Sequence, residues 1–367
     1  MKGVFVVVLL GVLAPALKGQ TTDAMDLMGS SEINSIMDNS TNQAAPDGVA
    51  PWRQALDKLQ LAMTIIGLIA NIVTIVLLWK AGHRFSVSIR FLLRHQSFVD
   101  GLICGLAIPI LLQPFNWTTG NESYDIFMCH IWHSQVFFWS AIYVSVWNLV
   151  LIAIERFLAV KYPQKHQRFT KVKLFLSIVS IYVTAAIVLF TGFMQVSFSD
   201  AACSFYYFFK HPSYAKYMKF YSIYWFCVVY ALPVILFICF YGSIIISLHK
   251  MKSALSDRKE FDEGSKQFTR TAILVTVFFV IFLSFDTIYY LLGTVGAATY
   301  IHGSRLQRVA LFLTCMNSVV NPFLYVLFMP VFRRSISNLR CCGKSETYET
   351  KHKDGYNTDV SEIAAKY

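Results

Sequence analysis

Glu155-Arg156-Phe157 closes one long apolar run, and Asn321-Pro322-Phe323-Leu324-Tyr325 lies near the end of another. An arginine at the mouth of a membrane helix is costly unless it faces a partner or the interior of a bundle. Glu155 beside it can hold the guanidinium by a charge-assisted hydrogen bond and later release it. Pro322 removes a backbone hydrogen bond inside its helix, which requires local repair. These groups suit a bundle that moves rather than a passive anchor. Asp100 and Asp286 also fall inside apolar runs, where an acid is a functional candidate by default. For Asp286, followed by Tyr289 and Tyr290, the alternatives are a ligand contact, a partner for Arg308, or a water-bridged internal bond.

His130 and His133 have metal-ligand spacing, but zinc wants three or four ligands and no further His or acid stands beside them. A polar rim is the better reading. An enzyme would need convergent acids, histidines or a nucleophile and its base. His83, His95, His166, His211, His249, His302 and His352 are scattered near run ends and loops, so the chain reads as a non-enzyme.

The elements that position these residues are legible in composition. The 367 residues are 56% hydrophobic and only 14% charged, so a bilayer is the expected solvent. The net charge of +11 is concentrated in short loops between apolar spans, a membrane-protein pattern rather than a nucleic-acid one. Residues 1–19 read as a signal peptide: Lys2, an apolar stretch too short to span, then Ala14-Pro15-Ala16. Residues 20–56 read as a disordered extracellular tail. Asn39, Asn116 and Asn121 head glycosylation triplets on stretches expected outside.

Seven apolar spans are expected near residues 57–80, 88–114, 129–158, 172–195, 217–249, 266–293 and 305–328. The loops after the odd-numbered spans carry the basic residues, including Arg84, Lys161, Lys165 and Lys250, so they belong in the cytoplasm. The N-terminus is then outside and the C-terminus inside. Residues 329–342 place Phe332, Ile336 and Leu339 on one face of an amphipathic helix on the inner leaflet. Cys341 and Cys342 follow it as palmitoylation candidates, and residues 343–367 form a polar cytoplasmic tail. The fold class is an all-α membrane protein: a seven-transmembrane helix bundle, residues 57–328, with a short cytoplasmic helix.

In that order along seven spans, Asn71, Asp100, Glu155-Arg156-Phe157, Pro233 with Tyr241, and Asn321-Pro322 with Tyr325 resemble a rhodopsin-like (class A) G-protein-coupled receptor. The resemblance implies a plasma-membrane receptor with an extracellular ligand, a heterotrimeric G protein, and arrestin and a receptor kinase as further partners. It implies a Cys129–Cys203 disulfide and a switch built from Glu155, Arg156, Tyr241, Asn321, Pro322 and Tyr325. It gathers Ser145, Asn317, Ser318 and Asn321 around Asp100, a set suited to an allosteric sodium ion, with no other cofactor required. The sequence departs from the family at Ser284-Phe285-Asp286-Thr287, which lacks the usual tryptophan and proline of span six. Gln267 stands where an acid would complete the lock on Arg156, so that lock is expected to be weak or missing. Cys129 lies two residues further from Arg156 than the family norm, so a bulge or altered start is expected in span three.

The resemblance also bears on the ligand. Amine receptors need an acid where Phe138 stands, and opsins need a lysine where Cys315 stands. Trp132, Gln135, Phe138, Trp139 and Ile142, with Asp286, Tyr289 and Arg308, instead outline an aromatic pocket suited to a peptide. The alternatives are a lipid or other small molecule, or a receptor-like scaffold that does not couple.

Overall fold

The computed structural model describes residues 51–80, 86–112, 118–167, 171–199, 202–204, 212–254, 259–298, 300, 304–330, 332–334 and 336. Asn39, Asn116, Cys341, Cys342, the signal peptide and the polar tail lie outside the described residues. The chain divides into compact units of residues 1–56 and 57–367, and the bundle is built within the second.

The first two spans are α1 (Pro51–Lys80) and α2 (Val87–Leu112). Span three combines α3 (Glu122–Met128), a π-helical turn (Cys129–His133) and α4 (Val136–Lys161). A short α5 (Pro163–Gln167) leads to α6 (Lys171–Gly192), the fourth span. The hairpin strands β1 (Ser197–Ser199) and β2 (Ala202–Ser204) follow, paired antiparallel with Phe198 opposite Cys203. Span five is α7 (Pro212–Trp225), a π-helical stretch (Phe226–Ala231) and α8 (Leu232–Ala254). Spans six and seven are α9 (Lys259–Val295) and α10 (Arg305–Phe328). Six of the spans are long and apolar enough to cross a membrane, and α6 supplies a shorter apolar helix at Val172–Val188. The molecule is a seven-helix bundle.

The polarity is inside out relative to a water-soluble protein. Ile65, Ile69, Ile72 and Val76 of α1 and Phe175, Val183 and Ile187 of α6 face outward. Gln60, Asn71, Gln96, Asp100, Asn148 and Asn321 are buried. A surface that apolar suits lipid, and helices gain there from polar contacts and close packing between them. The helix α4 is the centre, packed against α2, α6, α8 and α9.

The bulge expected in span three is present. The turn at Cys129–His133 is wider than an α-helix, and Gln135 then adopts a left-handed backbone with φ 54°. The first helix begins at Pro51, inside the stretch expected to be a tail, and span six begins at Lys259 rather than near 266. Both extensions run into polar sequence, where hydropathy gives no signal but helix propagation adds a hydrogen bond per residue.

Gly67 marks a close approach of span one to spans seven and two. A Cβ there would meet Val319 Cγ2 at 2.7 Å and Cys104 Sγ at 3.0 Å. Gly67→Val is therefore expected to lower the thermal stability of the detergent-solubilised protein, since overpacking costs about 1–3 kcal/mol. An unchanged melting temperature would mean the helices have room to part.

Candidate functional site

At the inner end of span three, Glu155 and Arg156 are both buried and paired through their side chains. The other Glu155 oxygen meets His166 Nε2 of α5 at 2.9 Å. The Arg156 guanidinium lies over the Phe268 ring, 4.6 Å from its centroid. The lock to span six is thus a cation–π contact one residue beyond Gln267, whose side chain is exposed. The missing acid was legible; its aromatic replacement was not.

Tyr241 and Tyr325 are buried near this centre. Tyr241 stacks on Phe237 with centroids 6.2 Å apart, and Tyr325 stacks on Phe332 at 5.8 Å. Phe332 is thereby the buried face of the short helix after α10, as its amphipathic pattern predicts. Toward the same end of α8, α9 and α10 an apolar groove of about 320 Å³ is lined by Ile245, Leu248, Ile273, Leu274 and Phe328 with Thr269 and Arg270. Its residues were not singled out in the sequence, because apolar side chains at a helix end resemble lipid-facing ones.

Midway through the bundle, Asp100 is fully buried in a hydrogen-bonded network. Ser145 Oγ donates to Oδ1 at 2.9 Å and Asn321 Nδ2 to Oδ2 at 2.8 Å. Gln96 Nε2 donates to both carboxylate oxygens at 3.1 Å and to Ser145 Oγ at 2.7 Å. The network continues from Gln96 Oε1 to Asn148 Nδ2 at 2.7 Å, and from Asn148 Oδ1 to His95 Nδ1 at 3.0 Å. His95 Nε2 reaches Tyr182 at 3.0 Å, joining span four. Asn317 and Ser318 are buried on the same helix as Asn321. The Oδ1 atoms of Asn71, Asn317 and Asn321 are buried without a hydrogen bond from the described residues. Gln96 and Asn148 escaped the sequence reading, although Gln96 lies one helical turn from Asp100 and could have been found by that spacing.

The outer half is aromatic. Phe138 and Trp139 of α4 contact edge to face at 5.2 Å, and Trp139 meets Trp225 of α7 at 6.0 Å. Tyr217, Tyr221 and Trp225 form a stacked ladder along α7, each step 6.2 Å. Tyr300 contacts Tyr289 at 4.9 Å and Tyr290 at 5.5 Å. Ile142 is buried below, while Trp132 and Gln135 sit half-buried in and after the π turn. The four-residue spacing of Tyr217, Tyr221 and Trp225 carried the signal for that ladder.

Arg308 is not brought to Asp286. Its Nη1 pairs with Asp57 Oδ1 of α1 at 2.7 Å, tying spans seven and one. The disulfide Cys129–Cys203 is formed, with Cα atoms 5.5 Å apart, and fastens the β1–β2 hairpin to the top of span three. His130 Nδ1 donates to the Phe193 carbonyl at 3.0 Å. Asn121 is exposed and caps α3, accepting from the Tyr124 amide at 3.2 Å.

Residues 70–325 match the family described as 7 transmembrane receptor (rhodopsin family). The chain is 22% identical over 239 residues to a rhodopsin of Petromyzon marinus, covering 60% of this chain and 63% of that protein. It is 26% identical over 209 residues to a green-sensitive opsin of Gallus gallus, covering 55% and 58%. It is also 26% identical over 220 residues to a blue-sensitive opsin of Anolis carolinensis, again covering 55% and 58%. The matched stretches therefore span 58–63% of the length of these relatives.

Proposed function

We propose that this chain, which belongs to the rhodopsin family of seven-transmembrane receptors, binds an extracellular ligand in its outer half and activates a heterotrimeric G protein at its inner face. The observation that carries this reading is the inner mouth. A buried arginine is held by Glu155 and Phe268 near the inner ends of the spans, where an apolar groove lined from α8, α9 and α10 also opens. Released from Phe268, Arg156 would turn toward Tyr241 and Tyr325, and outward movement of α9 would widen the groove for a partner helix. The protein would sit in the plasma membrane with its N-terminus outside. The Cys129–Cys203 bond supports that orientation, because disulfides persist in an oxidising compartment. Arrestin and a receptor kinase would share the inner face.

A peptide is the ligand class the outer half fits best, because rigid aromatic surfaces with a few polar groups accommodate mixed side chains. A light-absorbing imine, the expectation from the opsin relatives, has no anchor: Cys315 is buried and accepts from Gln60 Nε2 at 3.4 Å, and a thiol cannot form that bond. A lipid or other small molecule remains the second reading, favoured by the depth of Phe138 and Ile142.

The Asp100 cluster suits a sodium ion. Asp100 would supply charge, with Ser145, Asn317, Ser318 and Asn321 supplying oxygens. The three buried amide oxygens without donors among the described residues support this, since a cation would satisfy acceptors that those N–H groups do not. Gln96 would have to turn its amide away for the ion to enter.

The test is expression in cells that report G-protein dissociation, with a peptide library applied outside. Ile273→Asp is expected to remove the response at least tenfold while leaving ligand binding unchanged, because it places a charge in the groove. A chain that reaches the surface and never couples, with or without ligand, is a scaffold instead.

A further inference from the structure

Asp286 is the acid of the bundle that the inner switch and the Asp100 network leave unused. It lies on α9 roughly two and a half turns below the outer end. It is 5% exposed, yet among the described residues it accepts no hydrogen bond and pairs with no lysine, arginine or histidine. Arg308, the cation nearest in expectation, is committed to Asp57. A carboxylate so placed carries a desolvation cost that no hydrogen bond or ion pair among the described residues offsets.

Its surroundings are specific. Tyr290, one turn above on the same helix, lies within electrostatic reach of Asp286 and close to Tyr217, Tyr221 and Tyr300. The Tyr290 hydroxyl is buried and without a hydrogen-bond partner among the described residues. Cys315 of α10 also lies within electrostatic reach of Asp286. The stacked ladder of α7 continues through Trp225 to Trp139 of α4. A carboxylate without a described partner, next to Tyr290 and the tyrosines around it, offers a cation both a counter-charge and ring faces, the two features by which proteins recognise ammonium and guanidinium groups. A neutral or anionic group would gain neither and would leave Asp286 uncompensated.

We propose that Asp286 anchors a positively charged group of the ligand, an ammonium or a guanidinium, against the aromatic wall of the outer bundle. The proposal rests on the reading of the outer half as the ligand site. It moves the cation acceptor, absent at Phe138 on span three, to span six. The charge can be carried by a small amine or by an arginine, lysine or amino terminus of a peptide.

The test needs no identified ligand. A cysteine introduced by Tyr290→Cys in the full-length receptor is labelled from outside with 2-(trimethylammonium)ethyl methanethiosulfonate and with neutral methyl methanethiosulfonate, and rates are corrected for the parent chain. The cationic reagent is expected to be favoured, and Asp286→Asn to lower the ratio of the two rates at least tenfold. Asp286→Glu, which keeps the charge, should keep the preference and guards against a folding effect. An equal ratio with and without the charge overturns the anchor. Because labelling does not depend on coupling, a chain that keeps the ratio but never activates a G protein would sink the receptor reading alone. Protection separates the sources: phenethylamine slowing the labelling identifies a small amine, and glycyl-glycyl-arginine amide slowing it identifies a peptide.

Discussion

Arg156→Ala is expected to abolish ligand-driven G-protein dissociation while leaving surface expression and ligand binding intact, and Phe268→Leu is expected to do the reverse and raise basal signalling. The two outcomes follow from one geometry. In the structure Arg156 is buried, paired with Glu155 and capped by the Phe268 ring at 4.6 Å. A desolvated cation–π contact is worth about 1–2 kcal/mol, so losing it would enrich the released state roughly 5- to 30-fold. Arginine at the centre of a docking surface contributes about 2 kcal/mol or more, so its removal would cut coupling by roughly 30-fold at least. Glu155→Gln should act in the same direction as Phe268→Leu, since it weakens the remaining restraint on Arg156. An arginine that merely extends to the lipid headgroups would give neither effect. Dose–response curves of the three variants at matched surface density decide it, and a Phe268→Leu receptor with wild-type basal activity would remove the ring from the switch.

The contrast between Gln267 and Phe268 illustrates what a sequence can carry. That Gln267 cannot form the ion pair is a statement about one side chain, and it holds in the structure, where that side chain is exposed. That Phe268 replaces it depends on the rotation of α9 against α4, which no single-span pattern contains. The spans themselves were legible because hydrophobic length is local; the Cys129–Cys203 pair and the bulge near Cys129 followed from the family resemblance, the first by matching its pairing and the second by departing from its spacing. The Asp100 cluster was legible in its acid and in Ser145 and Asn321, which hydrogen-bond to it. Gln96 was passed over although its one-turn spacing to Asp100 carried the signal; Asn148, whose partners lie on the neighbouring helix, had no such local signal. Arg308 shows the same limit: its charge called for a partner, and the structure supplies Asp57 from the far end of the sequence rather than Asp286.

Gln96 makes the second large effect a graded one. Its amide donates to both Asp100 oxygens at 3.1 Å and to Ser145 at 2.7 Å, so the same oxygens that would bind a sodium ion already have a donor. Each such bond contributes about 1 kcal/mol net, more where the acceptor is charged. Entry of an ion therefore works against an internal competitor, and the wild-type protein should show only a few-fold sodium effect. Gln96→Leu removes the competitor and leaves Asp100 with fewer donors, so sodium dependence should grow, within the 5- to 150-fold range usual for coupled sites. Asp100→Asn removes the charge and should abolish it. An ion that prefers the inactive arrangement would lower agonist affinity by its differential affinity alone. The measurement is the melting temperature of the purified receptor in sodium chloride against N-methylglucamine chloride, a readout independent of signalling. Equal stability in the two salts for Gln96→Leu would show that Asp100 joins the helices through protein contacts only. Wild type and Gln96→Leu responding alike would show instead that the amide does not stand in the ion's way.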